Sequence, residues 1–251
     1  MKVVGIIPSR LESSRLPRKP LVDIAGLPMI IHVYLRCLNA TTLDDVYVAT
    51  DSKEIANVVS SYGGKYIMTS KDHKTGTDRI AEAAEKIDCD IVVNIQGDEA
   101  LVDPSHIDLV VNSILKNKDS NISLLVSPCN SYNSPSHIKT VVDENMNVMY
   151  FSRSDIPSSA RHEKAPMLKG YHIVPFRKSF LLEFSGWKHG ELESIEYCEY
   201  LRILEKGFKI KAVFIDYDAV SVDDEETLLY VRNKMKFDPI FKTYSQLVRH
   251  N

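Results

Sequence analysis

Cysteine is sparse in this sequence: Cys37, Cys89, Cys129 and Cys198 stand far apart, with no C-x-x-C pair and no neighbouring His cluster. That spacing fits reduced, small apolar residues better than a disulfide framework. None of the eight histidines forms an H-x-x-x-H or similar pair, which argues against a zinc centre. Long apolar runs are missing as well. The opening MKVVGIIPSR is too short in its apolar part for a signal peptide, and no window approaches a membrane span, so the expected location is the cytoplasm. There is no G-x-x-x-x-G-K-[ST] loop, no G-x-G-x-x-G turn and no G-x-S-x-G elbow, and no internal repeat or low-complexity tract. Excess positive charge is absent too: the formal net charge is −3, which disfavours a general nucleic-acid binder.

What is present is a chain of 251 residues with ordinary globular composition, 44% hydrophobic and 26% charged. Three nearly continuous apolar runs, KVVGIIPS, DDVYVATD and CDIVVNIQGDE, end in polar residues, as strands buried on both faces do. Between the first two, Met29, Ile30, Val33, Leu35 and Leu38 recur at roughly helical spacing. Between the second and third, Ile80, Ala83, Ala84 and Ile87 mark a short amphipathic helix. Strand, helix, strand at this pitch predicts an α/β fold with a mainly parallel central sheet. ISLLVSPC and KIKAVFID read as further strands, and ESIEYCEYLRILEKG as one long helix ending at Gly207. From about 130 to 195 the text turns rich in Ser, Asn, Pro and His, with strand-like pieces KTVVDE, VMYFSRS and YHIVPF. The expectation is a single domain, 1–251, carrying an antiparallel insertion.

In open parallel sheets ligands bind beyond the carboxyl ends of the strands. Three features lie there. The stretch IIPSRLESSRLPRKPL places Arg10, Arg15, Arg18 and Lys19 just after the first strand. Such a loop can supply charge-assisted bonds to a polyphosphate, or face solvent as charged loops commonly do. NIQGDEALVDP puts Asp98, with Glu99 beside it, after a strand and a glycine. A carboxylate there suits a divalent cation with phosphate ligands, or it caps the helix beginning near Pro104. Asp223, in AVSVDDEETL, offers a second carboxylate, or with Asp224 and Glu226 a helix cap. HKTGTDRIAEA brings Gly76 between threonines, a place for close approach to a base or ribose, or simply a helix start capped by Thr77 or Asp78.

Taken together, IIPSRLESSRLPRKPLVDIAGLPMIIHVY, VYVATDS, GGKYIMTSKDHKTGTDRIAEA, VVNIQGDEALVDP, VMYFSRSDIP and VSVDDEETLLYVR resemble, in this order and over nearly the whole chain, the CMP-Kdo synthetase (3-deoxy-manno-octulosonate cytidylyltransferase) family. The resemblance implies a Rossmann-like nucleotidyltransferase fold, a homodimer built through the inserted lobe, and Mg²⁺-dependent transfer of CMP from CTP to the hydroxyl of a 2-keto-3-deoxy sugar acid. Carried over residue by residue, it implies Arg10, Arg15 and Lys19 on the triphosphate. Pro8, Ser9, His73, Thr75, Gly76, Thr77 and Arg79 would lie about the base and ribose, Asp98 and Asp223 on the metal, and Gln96, Arg153 and Glu199 on the acceptor.

The departures fall mostly on the acceptor side. Arg18 stands where the family reads glycine in LPGKPL, and Ala100 where it reads proline in QGDEP. KGYHIVPFR replaces KH-x-G-x-YAYR, so Gly170 and Val174 replace a pocket His and Tyr; in CEYLR, Tyr200 replaces a Gln. His172 and Tyr200 offer substitute contacts. The acceptor implied is therefore Kdo or a close relative, with an amino variant, a nonulosonic acid or a non-sugar anion as alternatives. A non-catalytic nucleotide-binding protein on the same fold is the reading from another class.

Overall fold

The computed structural model describes residues 1–13, 15–162 and 164–248. The chain divides into two compact units: residues 1–108 with 219–251, and residues 109–218. Composition alone draws the insertion more narrowly, at about 130–195.

The first unit opens with β1 (Val3–Ser9), two short strands β2 (Asp23–Ile24) and β3 (Leu27–Pro28), helix α1 (Met29–Cys37), β4 (Asp45–Thr50), α2 (Lys53–Ser61), β5 (Tyr66–Met68), α3 (Gly76–Glu85) and β6 (Ile91–Ile95). Helix α4 (Pro104–Lys116) runs across the division. All seven residues of β1 and all five of β6 are buried, which is why these runs carry no polar alternation. β1 pairs in parallel with β4 on one side and β6 on the other, and β4 pairs in parallel with β5. The spatial order β6-β1-β4-β5 reverses direction at β1. Adjacent loops there diverge to opposite faces and leave a crevice at the carboxyl ends of β1 and β6.

The second unit holds β7 (Ser123–Cys129), β8 (Lys139–Val142), β9 (Val148–Ser152), β10 (Met167–Tyr171), β11 (Ile173–Arg177), α5 (Lys178–Ser185), α6 (Glu191–Glu196), α7 (Leu201–Glu205) and β12 (Lys211–Phe214). Its sheet runs β12-β7-β10-β8-β9, antiparallel except for the β12–β7 edge. ISLLVSPC thus pairs antiparallel to a strand of the insertion on one side and parallel only to β12. The expected single helix over 193–207 is two short ones. Tyr197 takes a left-handed backbone (φ 49°) and ends α6. Arg153 satisfies the carbonyls this break releases, donating from Nε to Glu196 O (2.8 Å) and from Nη2 to Tyr197 O (3.1 Å).

The chain returns to the first unit with α8 (Glu225–Met235) and α9 (Pro239–Lys242). Leu16, Ile24, Met29, Ala100, Val222, Leu228, Val231 and Met235 form one apolar cluster that anchors the basic loop, the segment after β6 and the segment before α8. No helix among the described residues is long and apolar enough to cross a membrane.

Beneath this cluster His32 is fully buried. Its Nε2–H donates to Ile24 O (2.7 Å), so Nδ1 accepts from the Tyr244 hydroxyl (3.0 Å). Burial, with the Arg36 charge alongside, lowers its pKa to about 4 against the backbone bond that favours protonation. The unfolded ring binds a proton from about pH 6.5 downward, while the folded ring resists until about 4. Its stabilisation is therefore complete above pH 6.5 and drains as pH falls toward 4, by on the order of 3 kcal/mol. Urea midpoints between these pH values should fall more steeply in the wild type than in His32→Gln; equal slopes would remove His32 from the acid response.

Candidate active site

The crevice at the switch point is a cavity of about 360 Å³. The end of β1 contributes Pro8 and Ser9, and the following loop Arg10, Glu12, Ser13, Arg15 and Lys19. His73, Lys74, Thr75 and Gly76 come from the approach to α3, and Gln96, Gly97 and Asp98 from the end of β6. Asp223 and Arg79 complete the set relevant to binding. Every residue expected on the triphosphate, the metal and the nucleotide borders this cavity except Thr77, which is buried and bonded to Asn94 Nδ2 (3.4 Å).

The two candidate metal carboxylates meet at one ammonium. Lys19 Nζ donates to Asp98 Oδ2 (2.7 Å) and Asp223 Oδ1 (3.2 Å), and Arg15 Nη2 reaches the same Asp223 oxygen (2.9 Å). Backbone geometry enforces this meeting. Val222 N–H donates to Asp98 O (3.0 Å), and the buried Glu99 carboxylate accepts from Ser221 Oγ (2.5 Å). The capping alternatives have other owners. Asp224, not Asp223, caps α8, accepting from Thr227 N (2.9 Å), which holds its carboxyl below the usual range. At the start of α4 it is Asp103 that accepts from Ser105 N (2.8 Å). The cap of α3 is Thr75, in a reciprocal box with Asp78, rather than Thr77 or Asp78 itself.

Close packing shapes the floor. A Cβ on Gly97 would lie 2.8 Å from Pro8 O, and one on Gly76 3.3 Å from Pro8 Cγ, so both glycines let the loops draw up to β1. The N-terminus of the ten-residue α3 opens at the cavity through Thr75 and Gly76, adding positive potential. Ser9 Oγ is buried and has no hydrogen-bond partner among the described residues, as a group awaiting a ligand would be. Arg10 is exposed at the rim.

Two expected contacts are structural as well. Arg79, 4% exposed, bonds Thr69 Oγ1 (2.6 Å) and Ser70 O (3.2 Å) and pairs with Asp51 (3.0 Å). It stiffens the segment before α3. Arg153, in the second unit, spends its guanidinium on the carbonyls of Pro135, Glu196 and Tyr197.

A family model described as cytidylyltransferase matches residues 4–210. A 3-deoxy-manno-octulosonate cytidylyltransferase from Syntrophobacter fumaroxidans is 42% identical over 236 residues, covering 91% of this chain and 94% of the relative. The chain belongs to the 3-deoxy-manno-octulosonate cytidylyltransferase family. A relative from Shewanella halifaxensis named 8-amino-3,8-dideoxy-manno-octulosonate cytidylyltransferase is 38% identical, over 95% of this chain and all of that protein. A solved structure of CMP:2-keto-3-deoxy-manno-octonic acid synthetase complexed with CTP superposes with a TM-score of 0.91 at 36% identity, covering 94% of this chain and 99% of that one.

The cavity thus lies wholly in the first unit, together with Gln96, whose Nε2 donates to Asn94 Oδ1 (3.0 Å). The other expected acceptor residues, Arg153, Gly170, His172, Glu199 and Tyr200, belong to the second unit. A Cβ on Gly170 would meet no atom within 4 Å, so open space stands at that strand position. Tyr200 is buried between Phe151 (6.2 Å) and Phe176 (6.3 Å), and Glu199 and His172 are half-buried. Six cavity residues, Glu12, Ser13, Pro20, Met29, Lys74 and Gly97, are absent from the set of site residues that the sequence singles out. Lys74 and Gly97 sit inside the chosen motifs, between chosen neighbours; the side on which Glu12 and Ser13 face has no periodic signal.

Proposed function

We propose that this enzyme transfers CMP from CTP to the anomeric hydroxyl of a 2-keto-3-deoxy sugar acid, Kdo or its 8-amino relative, and releases pyrophosphate. The observation that carries the reading is the convergence of Lys19, Arg15, Asp98 and Asp223 beside the end of β1. Attack on a triphosphate needs its charge neutralised and its leaving pyrophosphate held, more than it needs a covalent intermediate. Arg10, Arg15 and Lys19 bind the phosphates; Ser9 and the N-terminus of α3 offer donors to the remaining oxygens.

Asp98 and Asp223 fit a divalent cation such as Mg²⁺, which takes one or two carboxylates and completes its shell with phosphate and water oxygens. No cluster of three or more His, Cys, Asp or Glu side chains suited to a metal occurs among the described residues, so the nucleotide's own oxygens would share the ion with these two carboxylates. When bound, the ion supplies Lewis-acid stabilisation of the α-phosphate. Lys19 meanwhile keeps the two carboxylates gathered. The same reading takes the protein as a homodimer; Met149, Ile195, Tyr197 and Phe214 expose apolar surface on the second unit that such an assembly would cover.

The test is pyrophosphate release with CTP, Mg²⁺ and a panel of Kdo, 8-amino-Kdo and nonulosonic acids, on material whose mass is fixed by light scattering. Turnover with Kdo or 8-amino-Kdo is expected, from a dimer. CTP binding without turnover on any acid would leave a binding protein instead, and a monomer would remove the dimer.

A further inference from the structure

Behind the nucleotide wall of the cavity stands a carboxylate that the reaction does not touch. Glu82 lies two turns into α3, and its Oε2 accepts from Ser70 N (2.8 Å) and meets His73 Nε2 (2.5 Å), while Oε1 accepts from Lys86 Nζ (2.7 Å). Burial opposes its charge, but the bonds from Lys86, Ser70 and His73 outweigh it and hold the carboxyl down to about 2. Glu82 is therefore an ionised acceptor with no proton to give, and the proton of the short bond sits on His73 Nε2.

From this geometry we infer that Glu82 is a positioning residue for nucleotide recognition: by holding the proton of His73 at Nε2 it leaves Nδ1, in the uncharged ring, as a hydrogen-bond acceptor for an N–H or O–H of the nucleotide. His73 borders the cavity, and its Nδ1 has no hydrogen-bond partner among the described residues. An imidazole free to choose would present Nδ1 as donor part of the time and repel the same group. The same carboxylate clamps the turn: it holds Ser70 N and His73 Nε2, so both ends of the segment leading to His73 are fixed to one helix, and inside the segment Asp72 N donates to Ser70 Oγ (3.1 Å). The charged groups around the pair are Lys86 on α3 and Asp72 in the loop. Complementary donors exist in two places on a cytidine nucleotide, the exocyclic amine of the base and the ribose hydroxyls. This inference rests on the cavity being the CTP site.

Two measurements test it. The first is the ¹⁵N spectrum of the His73 ring in the wild-type protein at about pH 8, where an unperturbed imidazole is neutral, assigned with His73→Gln. An Nε2–H pattern is expected; an Nδ1–H or mixed pattern overturns the inference whether or not any variant folds. The second compares Glu82→Gln with wild type. The amide keeps the shape and can still accept from Ser70, but it can also donate to Nε2 and release the tautomer. We expect KM for CTP to rise about tenfold, the effect of one hydrogen bond, with kcat within about twofold. Unchanged KM, or kcat and KM falling together, overturns the positioning role. If UTP shows a smaller penalty than CTP, the group recognised is the base amine; if 2′-deoxy-CTP does, it is the ribose. Absence of CTP binding in the wild type would instead overturn the assignment of the cavity and leave the tautomer spectrum standing.

Discussion

Exchanging Asp98 for Asn is expected to lower kcat for pyrophosphate release by about 10²–10³-fold, the range found when one charge-stabilising group is removed from a transition state. The side chain keeps its shape and loses only its charge. Its backbone carbonyl still accepts from Val222 N–H, and Val222 stays in the apolar cluster, so the segment keeps its course. What changes is the electrostatics of the cavity: Lys19 is left with Asp223 alone. Melting temperature should move by no more than about 2 °C, as for a partly exposed polar change in a protein this size. Asp224→Ala supplies the contrast. Asp224 spends its carboxylate on the cap of α8, so its loss should cost about 1 kcal/mol of stability and leave kcat near wild type. Turnover surviving in Asp98→Asn, or lost equally in Asp224→Ala, would show that the two carboxylates at Lys19 have no special part in catalysis. Steady-state kinetics and thermal melts on the two variants decide between these outcomes.

That contrast between neighbouring aspartates also marks what the sequence could reveal. β1, β4 and β6 were legible because strands buried on both faces are nearly continuous apolar runs, and their polar ends announced the crevice. The same property hid the partner of β7: a strand apolar on both faces reads alike in parallel and antiparallel company. Asp223 and Asp224 could not be told apart by pattern, since one residue of backbone sends them to opposite tasks. The cap of α3 was legible in principle, as Thr75 and Asp78 have the T-x-x-D spacing of a capping box. The break at Tyr197 was not. Nothing local to ESIEYCEYLRILEKG forbids a continuous helix; what stabilises the interruption is Arg153, more than forty positions earlier, supplying donors to the freed carbonyls. Arg79 teaches the same lesson, because its ion pair with Asp51 comes from a distant strand end. Side chains that hold loops in place and side chains that hold ligands share a chemistry, and only tertiary partners separate them.

Arg36 carries the largest expected effect on stability. Its guanidinium is fully buried in the first unit, donating from Nε to the Tyr244 hydroxyl (3.2 Å), from Nη1 to Val102 O (3.1 Å) and from Nη2 to Asp238 (2.5 Å). Arg36→Met fills much of the volume but leaves the Asp238 carboxylate, the Val102 carbonyl and one side of Tyr244 without donors. Removing one partner of a buried pair costs about 3–5 kcal/mol, because the remaining charge stays where water reaches it poorly. Asp238 also caps α9 by accepting from Phe241 N, so it cannot simply swing into solvent. Asp238→Asn keeps that cap and removes the charge, and the double variant should therefore be more stable than Arg36→Met alone by about 1 kcal/mol or more. Urea unfolding of the three variants measures this coupling directly. A loss under about 1 kcal/mol in Arg36→Met, or strict additivity in the double variant, would mean that water rather than Arg36 satisfies Asp238. The consequence reaches the active site through Val102, four residues beyond Asp98: the bond from α1 to its carbonyl fixes the far end of the segment whose near end is closed by Gly97 against Pro8. Where Arg36→Met remains folded, kcat should fall before KM does, since the Asp98 carboxylate loses its anchorage while the basic loop keeps its own.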